Sequence, residues 1–154
     1  MLSVKLNALR KLLPIFSFLL LCFMSIVASA NESTDISKAD VRLLIDISGS
    51  MKKNDPQNLR IPAVNLLTEL VSDGNNAGVW TFGQWVNNLI PYQVVDDEWR
   101  KLAKTKAKEI NSVALFTNIG AVLEKSSENL ASGKTHNNTH FILLTDGMVD
   151  IDKN

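Results

Sequence analysis

The chain of 154 residues has a single cysteine, two histidines, one tyrosine and no excess of basic charge. Each scarcity excludes something. With only Cys22, no intrachain disulfide can form, so any domain must be held by an apolar core, with a metal as the other candidate staple. Sixteen Lys+Arg offset sixteen Asp+Glu. Three of the basic residues, Lys5, Arg10 and Lys11, precede Asn31 and no acidic residue does, so the remainder carries a net charge of −3. A surface of that sign offers nothing to a phosphate backbone, and no nucleic-acid partner is expected. The one basic cluster, Arg100 to Lys108, has the spacing of a single solvated helix face. His136 and His140 are four apart but straddle a loop-to-strand junction, so they read as solvated histidines and not as a metal pair. There is no internal repeat and no low-complexity tract.

What is present begins with a targeting pattern. A basic start leads into an apolar run from Leu12 to Val27, and Ala28-Ser29-Ala30 supplies the small-x-small signal for cleavage. Residues 1–30 therefore read as a signal peptide, with export to the periplasm or cell envelope. The run is short of the roughly 20 residues that cross a bilayer, which disfavours an uncleaved anchor. Leu21 stands where a lipoprotein cysteine would need a small residue.

Residues 31–39 read as a polar linker and 40–154 as one domain. Val41-Arg42-Leu43-Leu44-Ile45 is nearly continuous apolar sequence ending in Asp46, the pattern of a strand buried on both faces. Leu59, Ala63, Leu66, Leu67, Leu70 and Val71 recur at helical spacing and predict an amphipathic helix with those residues inward. Ala77 to Gly83 predicts a second strand, and Val86 to Pro91 a third, joined so tightly that it must pair antiparallel at an edge. Helices are expected over Asp96–Ile110 and Asn118–Leu130, the latter burying Ile119, Val122, Leu123 and Leu130. Thr139 to Thr145 is another apolar strand, followed by Asp146. The alternation predicts an α/β layered domain with a mostly parallel sheet. Few residues follow this strand, so a helix to cover it is missing and its edge is expected to be exposed.

Asp46 and Asp146 both stand just past the C-terminal ends of predicted parallel strands, the edge at which open α/β sheets bind ligands. Asp46-Ile47-Ser48-Gly49-Ser50 sets three oxygen side chains at every second position around a turn, and Thr117 opens a later helix. Two carboxylates and three hydroxyls, with no nitrogen or sulfur donor, form a hard oxygen set suited to Mg²⁺, Mn²⁺ or Ca²⁺.

Asp46-x-Ser48-x-Ser50, Thr117-Asn118 and Thr145-Asp146-Gly147 together resemble the metal-ion-dependent adhesion site of von Willebrand factor type A (VWA) domains, over roughly Val41 to Asp150. Several segments, such as Gly78 to Gly83 and Leu115 to Gly120, resemble exported bacterial proteins of that type. The resemblance implies a Rossmann-like three-layer fold and a site for Mg²⁺. In it Ser48 and Ser50 bind the metal directly, Thr117 directly or through water, and Asp46 and Asp146 largely through water. It further implies a protein partner whose carboxylate completes the coordination, with membrane attachment only through the signal segment or a C-terminal anchor beyond this sequence. VWA domains usually continue with two more strands and their helices, so the domain is expected to be incomplete at its C-terminus.

The alternative is a metal-dependent hydrolase using Asp46 and Asp146. A phosphatase of the haloacid dehalogenase type wants a second aspartate where Ser48 stands, and a serine nucleophile at Ser48 or Ser50 lacks a nearby base. Among the remaining residues, Trp80, Phe82 and Trp99 read as packing, with Trp85 unassigned. Asn137-Asn138-Thr139 matches a glycosylation acceptor, a pattern common by chance. Lys52 and Lys53 either steer acidic partners or are plain loop residues. Asp150 and Asp152 read more readily as a solvated loop than as a second cation site.

Overall fold

A computed structural model describes residues 38–130, 138–147 and 149–151. The signal segment, Asn137 of the glycosylation motif, His136 and Asp152 lie outside the described residues. Strand β1 (Ala39–Asp46) is followed by a short helix α1 (Met51–Asn54), helix α2 (Arg60–Leu70), strand β2 (Asn76–Phe82) and strand β3 (Val86–Val94). Helix α3 (Asp97–Lys106) runs into a 3₁₀ turn at Ala107–Glu109, then come α4 (Ile119–Ser127) and β4 (Asn138–Leu144). The four strands lie in the order β3-β2-β1-β4. β1 is parallel to both β2 and β4, and β2 pairs antiparallel with β3. The expected mixed sheet, mostly parallel with one antiparallel edge strand, is the one observed.

Period-two alternation along β1 divides the interior into two layers. Leu43 and Ile45 face a core shared with Val64 of α2, Val79, Ile90, and Trp99 and Ala103 of α3. Leu44 faces the other way and packs with Trp80, Phe82 and Val122 of α4. Helices therefore cover both faces of the sheet, as a central, doubly buried strand requires.

Several elements differ from expectation, each for a physical reason. β3 continues past Pro91 to Val94; a proline lacks the ladder N–H but is tolerated on an edge strand, and the β2–β3 register slips between Ala77 and Trp80 to accommodate it. Helix α3 begins one residue later than expected because the Asp96 side chain caps it, accepting from Trp99 N at 2.7 Å. The basic cluster does not lie wholly in solvent: Arg100 is largely covered, donating to Val71 O at 2.7 Å and pairing with Asp73 at 2.5 Å.

The largest correction concerns α2. Of the residues expected inward, Val71 is buried and Leu67 packs against the core, but Leu59, Leu66 and Leu70 are exposed, whereas Arg60, Val64 and Thr68 are buried. The helix is turned so that Arg60 points inward, where its guanidinium binds two loops. In α4, Leu123 is exposed, not buried, and the helix ends at Ser127. Phe141 and Leu143 of β4 are likewise exposed. Among the described residues β4 has one sheet neighbour, β1, as expected for an edge. His140 lies on this strand, exposed.

Beneath that face Arg42 is fully buried, paired with Asp40 at 2.7 Å and donating to Asn129 at 2.8 Å. Its guanidinium lies 4.8 Å from the Tyr92 ring centroid and 5.8 Å from that of Phe141. A charge in the middle of an apolar run is accommodated here by a carboxylate and ring faces.

Candidate functional site

The C-terminal edge of β1 delivers Asp46 into the interior with no exposed surface. One oxygen, Oδ1, accepts from Ser48 N at 2.8 Å, and Oδ2 accepts from Thr145 Oγ1 at 2.6 Å. The first bond is an Asx-type turn that folds the chain back on itself immediately after the strand. The second ties it to the end of β4, so one carboxylate joins two parallel strands at their C-terminal ends. The turn lets the Ser48 and Ser50 hydroxyls hydrogen-bond to each other at 3.0 Å.

A third segment closes over this turn. Ser48 forms a parallel bridge with Ala114, supported by Gly49 N to Ala114 O at 2.9 Å and Ala114 N to Ile47 O at 3.0 Å. Gly83, at the end of β2, lets the same segment approach closely: a Cβ there would lie 2.3 Å from the Ala114 Cβ. Phe116 takes a left-handed conformation, φ 57°, which a bulky residue adopts only when its surroundings impose it. That bend turns Thr117 inward, 2% exposed, and Asn118 then caps α4 by accepting from Ala121 N at 2.9 Å. Ser48, Ser50 and Thr117 line one cavity of about 230 Å³.

Asp146 and Asp150 contribute differently from expectation. The Asp146 carboxylate accepts from Asn54 Nδ2 at 2.8 Å, tying the end of β4 to α1. Asp150, read from sequence as a solvated loop residue, is exposed yet lines the cavity beside the three hydroxyls. Its backbone carbonyl receives the Thr117 N–H in an isolated antiparallel bridge. Among the described residues no group of three or more Asp, Glu, His or Cys could hold a metal. The donor set is one of hydroxyls with few carboxylates.

Arg60 was missed from the sequence altogether. It is 4% exposed and fixes the site from behind, donating to the carbonyl oxygens of Asp46 and Asn111 and, at 2.6 Å, to Ser112 Oγ. Asp55 holds it by an ion pair of 2.8 Å. Burial pushes the Asp55 carboxyl up, but hydrogen bonds from Leu59 N and from Arg60, with the Arg60 charge, outweigh it and hold the group below its ordinary 3.8. An arginine opening a leucine-rich helix carries no signal of this role, because apart from Asp55 its partners are the Asp46 and Asn111 carbonyls and the Ser112 hydroxyl, on loops that only the fold brings near.

A small cation bound octahedrally at about 2.1 Å has neighbouring oxygens about 3 Å apart. The Ser48–Ser50 separation of 3.0 Å, set by the hydrogen bond between the two hydroxyls, equals that edge, so both could take adjacent ligand positions once that bond is given up.

The order β3-β2-β1-β4, with β1 parallel to β2 and β4 and helices on both faces, is matched by solved structures. The chain has the fold of a von Willebrand factor type A domain. A VWA protein from Catenulispora acidiphila superposes with a TM-score of 0.65 at 22% identity, over 72% of this chain and 27% of that one. The VWA domain of the type V pilus tip protein of Porphyromonas gingivalis matches at 0.60 and 18% identity, covering 73% and 39%. Proximal thread matrix protein 1 of the mussel byssus matches at 0.57 and 20%, covering 74% and 30%. This chain thus spans well under half the length of these VWA structures. No family model and no curated protein sequence matches it.

Proposed function

We propose that this VWA domain is a divalent-cation-dependent protein-binding module of the cell envelope, with Mg²⁺ held by Ser48, Ser50 and Thr117 and supported by Asp46 and Asp146. The observation that carries the reading is the pair of serine hydroxyls 3.0 Å apart, opening into the cavity that Thr117 also lines. When bound, Mg²⁺ supplies a concentrated positive charge with a coordination place open to a partner's carboxylate. The chain's own residues do the rest. Asp46, with both oxygens occupied by Ser48 N and Thr145 Oγ1, fixes the turn. Neutral hydroxyls in place of carboxylates leave the cation most of its charge, and with it the affinity for an incoming anion.

The same geometry speaks against hydrolysis. Asp46 is wholly buried and holds a hydrogen bond at each oxygen, so it has no surface open to a substrate. The similar structures include a pilus tip protein and a thread matrix protein of the mussel byssus, in keeping with a binding role outside the cell. The amino-terminal targeting pattern agrees. No described helix is long and apolar enough to cross a membrane.

The test is calorimetric titration of Mg²⁺ into the apo chain. One site is expected in the wild type, with at least a tenfold loss of affinity in Ser48→Ala and in Ser50→Ala while far-UV circular dichroism stays unchanged. Equal Mg²⁺ uptake by wild type and both variants would remove the proposal.

A further inference from the structure

A second cavity of about 230 Å³ lies on the α4 side of the sheet and shares no residue with the one beside Ser48. Part of its lining is apolar: Trp80, which is 4% exposed, with the partly buried Val86 and Tyr92. Gly78 makes room for this wall. A Cβ there would lie 2.8 Å from the indole Cη2 and 3.0 Å from the Tyr92 Cα. Without it the indole lies down beside Tyr92, ring centroids 6.3 Å apart. The rest of the lining is polar. Asn88 stands across from Trp80 on β3, and Lys125, Glu128 and Asn129 come from the last turn of α4 and the residues after it. Asn129 is held in place by Arg42, from which its Oδ1 accepts at 2.8 Å.

The charges around this cavity cancel in pairs. Lys125 meets Glu128 at 2.8 Å, and the buried Arg42 meets Asp40 at 2.7 Å. Burial, and after it the Asp40 charge, push the Tyr92 hydroxyl above its ordinary 10.0, so that group stays neutral. A cationic ligand would meet Arg42, whose guanidinium already lies over the Trp80 and Tyr92 rings, 5.9 and 4.8 Å from their centroids. An anionic one would meet Glu128. A wholly apolar one would cover Asn88 and the Lys125–Glu128 pair without offering them hydrogen bonds. The chemistry left is a neutral molecule with one apolar face and a hydroxyl-bearing edge. We infer that the cavity binds a neutral pyranose, its C–H face on the Trp80, Val86 and Tyr92 side and its hydroxyls toward Asn88, Lys125, Glu128 and Asn129. The volume is below the roughly 300 Å³ at which sites for drug-sized ligands begin, so it suits one sugar ring and not a chain of them.

The test is an NMR titration of the whole chain with the methyl glycosides of glucose, galactose, mannose and N-acetylglucosamine, with choline and methyl glucuronide as the charged controls. At least one neutral glycoside is expected to shift the Trp80 indole N–H resonance saturably, with a Kd of about 1–10 mM. The Trp99 indole, on the other layer and donating to Pro91 O at 2.9 Å, should not move. Asn88→Ala, which changes an exposed side chain, should bind that glycoside about fivefold more weakly, the scale of one net hydrogen bond, with an unchanged circular dichroism spectrum. The glucuronide should bind only after Glu128→Gln leaves Lys125 uncancelled. The inference is overturned if no neutral glycoside shifts Trp80, if choline or the glucuronide binds the wild type equally well, or if Asn88→Ala binds as the wild type does. None of these readings involves Mg²⁺, so the metal proposal stands or falls separately.

Discussion

Asp46 and Arg60 show how single side chains fix a site they need not touch the ligand to serve. Arg60 bonds to carbonyls of the Asp46 and Asn111 loops and to Ser112, so its removal unties both loops and leaves Asp55 unpaired. Arg60→Ala should cost about 3 kcal/mol in urea-induced unfolding, the scale for breaking one partner out of a buried, hydrogen-bonded ion pair. The Asp55 end of this pair also predicts a pH dependence. Its carboxyl is held below 3.8 in the folded chain, so the folded state binds the proton less readily than the unfolded one. The stabilisation is therefore complete above the unfolded value and fades as pH falls through the lower folded value. The stability difference between wild type and Asp55→Asn should hold steady at neutral and weakly acidic pH and shrink only as pH falls below 3.8; a difference that stays constant into that range would contradict the pair. The turn that sets Asp46, Ser48 and Ser50 was legible in sequence because a turn after an apolar strand constrains neighbours two apart. Arg60 and Asp150 were not, since their roles depend on loops brought near by the fold.

At the scale of elements, the loop that carries Thr117 depends on close backbone approach. Gly83→Ala would drive a methyl group into the Ala114 side chain, at 2.3 Å before any relaxation. The 114–117 segment must then shift, at a cost of about 1–3 kcal/mol as for other overpacked sites, with weaker Mg²⁺ uptake measured in parallel. Helix α2 gives the complementary lesson. Its leucine spacing predicted the helix correctly but the inward face only in part: Leu67 and Val71 pack on the core, while Leu59, Leu66 and Leu70 are exposed and Arg60, with four partners, turns inward. Leu66→Lys should change stability by no more than about 0.5 kcal/mol, whereas Val64→Ala, in the fully buried core, should cost on the order of 2 kcal/mol. Thermal unfolding of the two variants side by side checks the assignment of faces.

For the molecule as a whole, a ligand that binds only the folded chain stabilises it by mass action. At a Mg²⁺ concentration one hundred times the dissociation constant, the gain is about 2.7 kcal/mol, visible as a higher melting temperature that chelator reverses. Ser48→Ala should lose that shift while melting at nearly the wild-type temperature without metal. Chain order alone determined the layered α/β architecture, the antiparallel edge strand and the candidate donors, because strand periodicity and post-strand turns are local properties. Only the tertiary structure decided which residues of α2 turn inward and which carboxylate lines the cavity. Those outcomes depend on contacts between segments tens of residues apart, where burial of a few polar groups with satisfied hydrogen bonds overrides the local pattern.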